Sequence, residues 1–186
     1  EKIINVIHKL KSVEGRLEKI GKIKNNSKVI LDYAHTPEAL KLALLNLKEQ
    51  FPMSKISLVF GCGGNRDFKK RSIMGKIAEK YSDQIYLTDD NPRYENPTKI
   101  RKDIKKGINK SKVLEISNRK KAIHEAIMSL KTGNLLLVAG KGHEKIQDYG
   151  KRKLFFSDKQ IIFKSINYKN KYLSKNLKLN IIREES

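Results

Sequence analysis

Residues 135–144, LLLVAGKGHE, decide the fold class, because an unbroken apolar run passes directly into a polar loop that contains two glycines. A short apolar run of this kind is typical of a strand that is buried on both faces. In open parallel sheets, ligands bind in the crevice beyond the carboxyl ends of such strands. The stretch therefore predicts a buried parallel strand followed by a loop at a ligand site.

The rest of the chain repeats this arrangement, with short apolar runs between segments of helical periodicity. Pro37 and Pro97 suit the first turns of helices, and Asn118 suits a helix N-cap. Strands are predicted at 29–31, 56–60, 85–88, 113–116 and 135–139, and helices at 37–50, 68–81, 97–107, 118–130 and 158–166, with further helical spacing at 1–11. The alternation predicts one α/β domain with a Rossmann-like, mainly parallel sheet and helices on both faces.

The charge of the chain is strongly positive, +21 from 41 Lys and Arg against 20 Asp and Glu in 186 residues. Eight of the basic residues are Arg, which leaves 41 − 8 = 33 Lys. The lysines accompany many Asn and Ile and form no single block with interleaved aromatics, as a single-strand binding groove requires. We interpret them as a solvated surface, and a basic nucleic-acid-binding module remains the alternative from a different class.

Cysteine content and hydropathy indicate where the protein is expected to work. Cys62 is the only cysteine, so an internal disulfide is impossible and a reducing cytoplasm is expected. No apolar stretch approaches the roughly 18 residues of a membrane span. Lys2, His8 and Lys9 interrupt the apolar residues at the start, unlike a signal peptide. We expect a cytoplasmic monomer that does not insert into membranes.

Four polar loops follow predicted strands and should therefore share one rim of the sheet: 32–37 (DYAHTP), 61–67 (GCGGNRD), 89–93 (DDNPR) and 140–144 (GKGHE). Arg66 and Arg93 suit carboxylates, whereas Asp90 and Glu144 suit ammonium groups. The rim is therefore predicted to bind a ligand that carries several carboxylates and amines.

Each loop also has a simpler interpretation, which for Asp89 and Asp90 is a helix-capping or turn pair. The glycines of 61–64 serve either a tight turn or the close approach of an anionic ligand. Cys62 is either a nucleophile or, as we favour, a small buried residue. His35 and His143 lack the third partner that a metal site needs. The sequence lacks GxxxxGK[ST], so the main site for nucleotide phosphates would lie elsewhere.

Five motifs resemble, in order, those of the C-terminal domain of the Mur ligases. They are EGRLE (14–18), DYAHTP (32–37), FGCGGNRD (60–67), TDDNPR (88–93) and VAGKGHE (138–144), and the resemblance covers roughly residues 12–165. The DNPR loop resembles the motif by which some members recognise diaminopimelate, and lysine-adding members lack its arginine. A lysine-adding ligase and a folylpolyglutamate-synthase-like domain are the alternatives, both disfavoured by these loops.

The resemblance implies a ligase of three domains: one for a UDP sugar, a central P-loop ATPase, and the present one. ATP would phosphorylate the glutamate of the UDP-N-acetylmuramoyl dipeptide, and the amine of meso-diaminopimelate would attack the acyl phosphate. ATP and Mg²⁺ would be held mainly by the central domain, so this chain alone is expected to be inactive. Residues 1–13 would end the central domain and form the hinge, 14–167 would bind the amino acid, and 168–186 would be a poorly ordered Lys/Asn-rich tail.

The resemblance also implies the roles of particular residues, none of them catalytic or metal-binding. The positions that match the family's amino-acid-binding residues are Arg66, Asp90, Asn91, Pro92, Arg93, Gly140 and Glu144. The positions expected to face the nucleotide are Asp32, Tyr33 and His35, and Arg16 lies in the hinge segment.

Overall fold

The fold is known from a computed structural model that describes residues 14–109 and 113–184, with side chains as far as residue 175. The helical spacing predicted at 1–11 lies outside these residues. The strands are β1 Glu18–Lys19, β2 Lys28–Asp32, β3 Ile56–Phe60, β4 Gln84–Leu87, β5 Val113–Glu115, β6 Leu135–Ala139, β7 Ile146–Asp148 and β8 Lys153–Phe155. The helices are α1 Pro37–Gln50, α2 Lys69–Tyr81, α3 Pro97–Lys105, α4 Arg119–Met128 and α5 Asp158–Glu184.

Six strands form the main sheet in the order β1-β2-β6-β3-β4-β5. All neighbouring pairs are parallel except β1 and β2, which are antiparallel at one edge. The strand β6 lies between β2 and β3, and all five of its residues are buried. The mainly parallel α/β fold predicted from its apolar run is confirmed.

Helices cover both faces of the sheet, because alternate residues of each strand point to opposite sides. Ile30 and Leu137 pack on one face with α1, α2 and α3. Leu136 and Val138 pack on the other face with α4 and α5. Two separate apolar cores thus hold the sheet, and they leave its carboxyl edge to the loops.

Local capping fixes where the helices begin after these loops. The Thr36 side chain accepts a hydrogen bond from the Ala39 amide at 3.2 Å at the start of α1. Asn96 caps α3 and Asn118 caps α4 in the same way. The helix starts predicted at Pro37, Pro97 and Asn118 are confirmed to within a residue, and each cap stabilises its helix by about 1 kcal/mol.

A small antiparallel hairpin, β7 with β8, was not predicted, because its two strands of three residues carry little apolar periodicity. Gln147 of β7 is buried, and its Nε2 donates to the carbonyl oxygen of Asp90 at 2.9 Å. The hairpin therefore packs against the 89–93 loop and holds its backbone in place.

The last helix was predicted to end at Ile166, and this was wrong, because α5 continues to Glu184. The expectation of a poorly ordered tail is also wrong for its first part. Asn170 accepts from the Lys24 amide and donates to the Lys22 carbonyl, each at 2.9 Å. Lys169 is buried, and its Nζ donates to the carbonyls of Ile127, Met128 and Leu130 at the end of α4. No helix within the described residues is long and apolar enough to cross a membrane.

Lysines of this helix are expected to differ sharply in their contribution to stability. Lys169→Gln should lower the free energy of unfolding by about 1–3 kcal/mol, because the shorter glutamine side chain has two donors where the ammonium group has three, and so leaves at least one buried carbonyl at the end of α4 without a donor. Lys171→Gln and Lys175→Gln, at exposed positions of α5, should change it by less than about 0.5 kcal/mol. Denaturant unfolding of the three variants measures the difference, and equal effects would show that Lys169 is no cap.

Candidate functional site

A cleft of about 650 Å³ opens at the carboxyl edge of the sheet, between the loops that follow β2, β3, β4 and β6. These are the four loops that the sequence placed on one rim. Eight of the predicted site residues line the cleft: Tyr33, His35, Arg66, Asp90, Asn91, Arg93, Gly140 and Glu144. The structure therefore brings both predicted cations and both predicted anions to one cavity.

Three predicted site residues do not line it. Both carboxylate oxygens of Asp32 accept backbone N–H groups, from Leu17 and Ala34, each at 2.7 Å. Asp32 thus connects β2 to the segment before β1 and does not face the cavity. Pro92 is a buried member of the 89–93 loop, and the Arg16 guanidinium lies 5.9 Å from the centre of the Tyr33 ring.

The Asn91 amide is almost fully occupied by protein partners. Its Oδ1 accepts from Lys141 Nζ and from the Asp148 amide, each at 3.0 Å. Its Nδ2 donates to Glu144 Oε2 at 2.9 Å. Asn91 therefore connects the loops after β4 and β6 with the hairpin, and it fixes Glu144 at the wall of the cleft.

Glu144 presents an ionised carboxylate to the cleft. Burial acts to raise its pKa, but hydrogen bonds from Lys141 and Asn91 outweigh burial, so the pKa lies below the usual value. The Tyr33 hydroxyl donates a long bond of 3.4 Å to Oε1, the oxygen less engaged by the protein. With about a third of its side chain exposed, Glu144 can accept a ligand ammonium group.

Asp90 is the buried acid of the site. Its Oδ1 accepts its neighbour's backbone amide, that of Asn91, at 2.8 Å, and Oδ2 has no hydrogen-bond partner within the described part of the chain. Burial raises its pKa, against the attraction of Arg119 and Lys141. A Cβ at Gly140 would lie 2.7 Å from Oδ2, so a glycine there keeps this oxygen clear. Asp90 thus contributes to the wall of the cleft a buried carboxylate oxygen that has no partner among the described residues.

The loops after β3 and β4 are joined around Arg93. The Gly64 amide donates to the Asn91 carbonyl, and Arg93 Nη1 donates to the Gly64 carbonyl, each at 2.8 Å. Arg93 has a φ of 52°, and its own amide donates to the Asp148 carbonyl at 2.9 Å, so the hairpin holds this uncommon conformation. A Cβ at Gly63 would lie 2.9 Å from Nη1. The guanidinium is thus fixed at the cleft wall, where it can bind a carboxylate.

The remaining polar side chains of these loops have simpler roles. Cys62 is buried with Sγ 3.6 Å from the Met74 sulfur, and burial raises its pKa to about 12, so the interpretation as a small buried residue is confirmed. His35 Nδ1 lies 2.8 Å from the Tyr33 carbonyl oxygen. Within residues 14–109 and 113–175, no three His, Cys, Asp or Glu side chains are grouped as a metal site.

Two lysines of the site were not predicted. Lys70 lines the cleft and donates to the His35 carbonyl at 2.8 Å. Lys141 is fully buried beneath the cleft. Lys141 lies inside the GKGHE motif, and a lysine between two glycines directly after a buried strand was the available signal.

Behind the site, Arg119 and Asp158 form an ion pair whose side chains are completely buried. Arg119 Nε and Nη2 donate to the two carboxylate oxygens at 2.8 and 2.7 Å. Arg119 Nη2 also donates to the Ala139 carbonyl at 2.9 Å, one residue before Gly140. The pair therefore anchors the start of the 140–144 loop to α4 and α5.

Fold and cleft together define an α/β domain with a cleft lined by side chains of opposite charge. Residues 15–142 match the family described as "Mur ligase, glutamate ligase domain", and the chain belongs to this family. The resemblance seen in the five sequence motifs is thereby confirmed.

Known proteins that are similar to this chain support the same family assignment. It is 47% identical over 171 residues to the UDP-N-acetylmuramoyl-L-alanyl-D-glutamate–2,6-diaminopimelate ligase of Rickettsia felis, covering 91% of this chain and 32% of the relative. It resembles a solved structure of a ligase of the same name with a TM-score of 0.78 and 34% identity, covering 89% of this chain and 34% of that one. Folylpolyglutamate synthase from Thermotoga maritima is less similar, with a TM-score of 0.56, 27% identity, and coverage of 75% and 30%. The chain spans about a third of the length of each.

Proposed function

We propose that this chain is the C-terminal, amino-acid-binding domain of a longer ATP-dependent ligase. That ligase would add meso-2,6-diaminopimelate to UDP-N-acetylmuramoyl-L-alanyl-D-glutamate in peptidoglycan synthesis. The observation that carries the proposal is that one cleft is lined by two arginines and two acids. These are Arg66, Arg93, Asp90 and Glu144. Diaminopimelate has two carboxylates and two amines, and so matches both signs of charge. The names of the similar proteins support the same substrate.

Within this cleft, the roles follow from the contacts. Arg93 is held at the wall by one bond to a carbonyl, which leaves further N–H donors of its planar guanidinium for a substrate carboxylate. Glu144 and Asp90 would orient an amine. The domain's contribution to the reaction is then positioning, because a correctly placed amine converts a bimolecular attack into an effectively intramolecular one. Closure over the cleft would exclude water.

ATP and Mg²⁺ would be held mainly by a preceding domain. The described residues contain no cluster of acids or histidines that fits a metal ion, and the sequence lacks the P-loop motif that cradles phosphates. Tyr33 and His35 line the cleft, and in this proposal they face the bound nucleotide. In this proposal residues 1–13 end the central domain and 14–167 form the amino-acid-binding domain, which α5 extends as far as Glu184.

Lysine is the competing substrate. It shares the amino-acid end of diaminopimelate but has no carboxylate at the far end of its side chain. A cleft for lysine would not need a guanidinium fixed as Arg93 is, with its backbone bonded to the hairpin and its side chain to Gly64. The structure therefore favours diaminopimelate.

The experiment that tests the proposal compares this chain with the full-length ligase. The full-length enzyme, given the UDP-dipeptide, ATP, Mg²⁺ and meso-diaminopimelate, should form the tripeptide product with release of phosphate. The chain alone should give neither product nor ATP hydrolysis, because phosphoryl transfer needs the phosphate cradle and metal ion. Mass spectrometry of the product and a phosphate assay measure both. Turnover by the chain itself, abolished by substitutions within it, would contradict the proposed division of roles.

A further inference from the structure

The Lys141 ammonium group lies directly behind the cleft and has no contact with solvent. Its side chain is 0% exposed, and Nζ donates to Asn91 Oδ1 at 3.0 Å, Glu144 Oε2 at 2.9 Å and the Ile146 carbonyl at 2.6 Å. An ammonium group has three donors, so these three bonds use all of them. Lys141 therefore has no donor left for a ligand, and any effect on ligand binding must pass through its partners.

The first partner is the Asn91 amide, whose orientation Lys141 fixes together with the Asp148 amide. An amide side chain can rotate by 180° and exchange its oxygen and nitrogen. Here the ammonium group and the Asp148 amide, both donors, face the same end of Asn91, so that end must be Oδ1. Nδ2 then faces Glu144 Oε2 and donates to it at 2.9 Å. Without Lys141, one of the two donors that fix this orientation is lost.

The second partner is the Glu144 carboxylate. Lys141 and Asn91 both donate to Oε2, which turns Oε1 toward Tyr33 and the cleft. The titratable and charged groups that act on Glu144 come from four elements: Lys141 from its own loop, Tyr33 after β2, Asp90 after β4, and Arg119 of α4. Asp90 opposes the ionised form of Glu144, and among the described residues Lys141 is the one cation that contacts this carboxylate directly.

We propose that Lys141 is a positioning residue of the amino-acid site, which locks Asn91 and Glu144 so that one carboxylate oxygen of Glu144 faces the substrate ammonium group. The inference rests on the proposed function for the identity of that substrate. Its structural part, the locked pair, concerns this chain alone. The family motif GKGHE would then combine a residue that lines the cleft, Glu144, with the buried cation that orients it.

The structural part is tested by NMR titration of Glu144 in this chain and in Lys141→Met. The matched control is Lys145→Met, which removes an exposed charge four residues along the same loop. Glu144 should titrate below the usual pKa of a glutamate in the unmutated chain and in the control, and at a clearly higher pKa in Lys141→Met. An unchanged pKa in Lys141→Met overturns the proposal. So does a pKa at or above the usual value in the unmutated chain, and this second readout holds even if the variant does not fold.

The functional part is tested in the full-length ligase. Lys141→Met should raise KM for meso-diaminopimelate roughly 10- to 150-fold, the effect expected for lost hydrogen bonds to a charged group. KM for ATP should not change. In a Glu144→Gln background the same substitution should have a much smaller effect, because both act through one carboxylate. Independent, additive effects, or equal increases in both KM values, overturn the positioning role.

The two tests separate two kinds of failure. If the unmutated ligase does not use diaminopimelate but uses another amino acid, the proposed function fails. The KM of that amino acid is then measured in Lys141→Met, and a rise supports the positioning role while an unchanged value overturns it. If diaminopimelate is used normally but Lys141→Met leaves its KM unchanged, the proposed function stands and the inference fails.

Discussion

Replacing Arg93 with alanine in the full-length ligase should lower kcat/KM for meso-diaminopimelate roughly 10- to 150-fold. A charged hydrogen-bonded contact of this kind contributes about 1.5–3 kcal/mol. Lysine has no side-chain carboxylate for Arg93 to bind, so its use should change much less. The ratio of kcat/KM for diaminopimelate to kcat/KM for lysine should therefore fall by nearly the same factor as kcat/KM for diaminopimelate. Competition kinetics with both amino acids, followed by mass spectrometry of the products, measures the ratio directly.

Arg152→Ala is the matched control for this experiment. Arg152 is an exposed arginine that follows β7 in the hairpin and does not line the cleft. Its loss should leave both substrates unaffected. A structural role for Arg93, through its bond to the Gly64 carbonyl, would disorder the loop and reduce the use of both amino acids equally. An unchanged preference ratio in Arg93→Ala would therefore refute its role in specificity.

Replacing Asp158 with alanine should produce the largest loss of stability, about 3–5 kcal/mol in the free energy of unfolding. The reason is that Arg119 would keep its charge in a position that is completely buried, without its partner. For a chain of this size the melting temperature should fall by roughly 6–20 °C, at 2–4 °C per kcal/mol. Thermal unfolding followed by circular dichroism measures the shift.

Two further variants decide whether the loss comes from an unpaired buried charge. Lys106→Ala removes one member of a pair whose lysine side chain is 65% exposed, and it should change stability by less than about 1 kcal/mol. The double variant Arg119→Met/Asp158→Leu replaces both charges by apolar groups and should recover much of the stability that Asp158→Ala loses. A double variant as unstable as the single one would show that the pair stabilises by its mutual attraction.

The parts of the fold that were predicted correctly are those in which local sequence determines the structure. The apolar run Leu135–Ala139 predicted the central strand, and Pro37, Pro97 and Asn118 marked helix starts. The ligand cleft could be predicted because the carboxyl ends of parallel strands lie at one edge. Polar residues directly after those strands must then come together, whatever their separation in sequence.

The parts that were not predicted depend on contacts between distant residues. Beyond Ile166, α5 has no strong apolar periodicity. The sequence alone predicts that Lys169 is a surface lysine, because its partners, the carbonyls at the end of α4, lie about 40 residues earlier in the chain. Lys141 is hidden for the same reason, since its partner Asn91 lies 50 residues away. The hairpin strands are too short to give a signal, and they are held by the 89–93 loop.

A crystal structure of the full-length ligase with meso-diaminopimelate bound is the most direct test of the central claim. We expect the amino acid in the cleft between the loops after β2, β3, β4 and β6. Its side-chain carboxylate should lie within about 3 Å of the Arg93 guanidinium, and an ammonium group should lie at the same distance from Glu144 Oε1. A ligand bound outside this cleft, or one whose carboxylates both lie away from Arg93, would contradict the account.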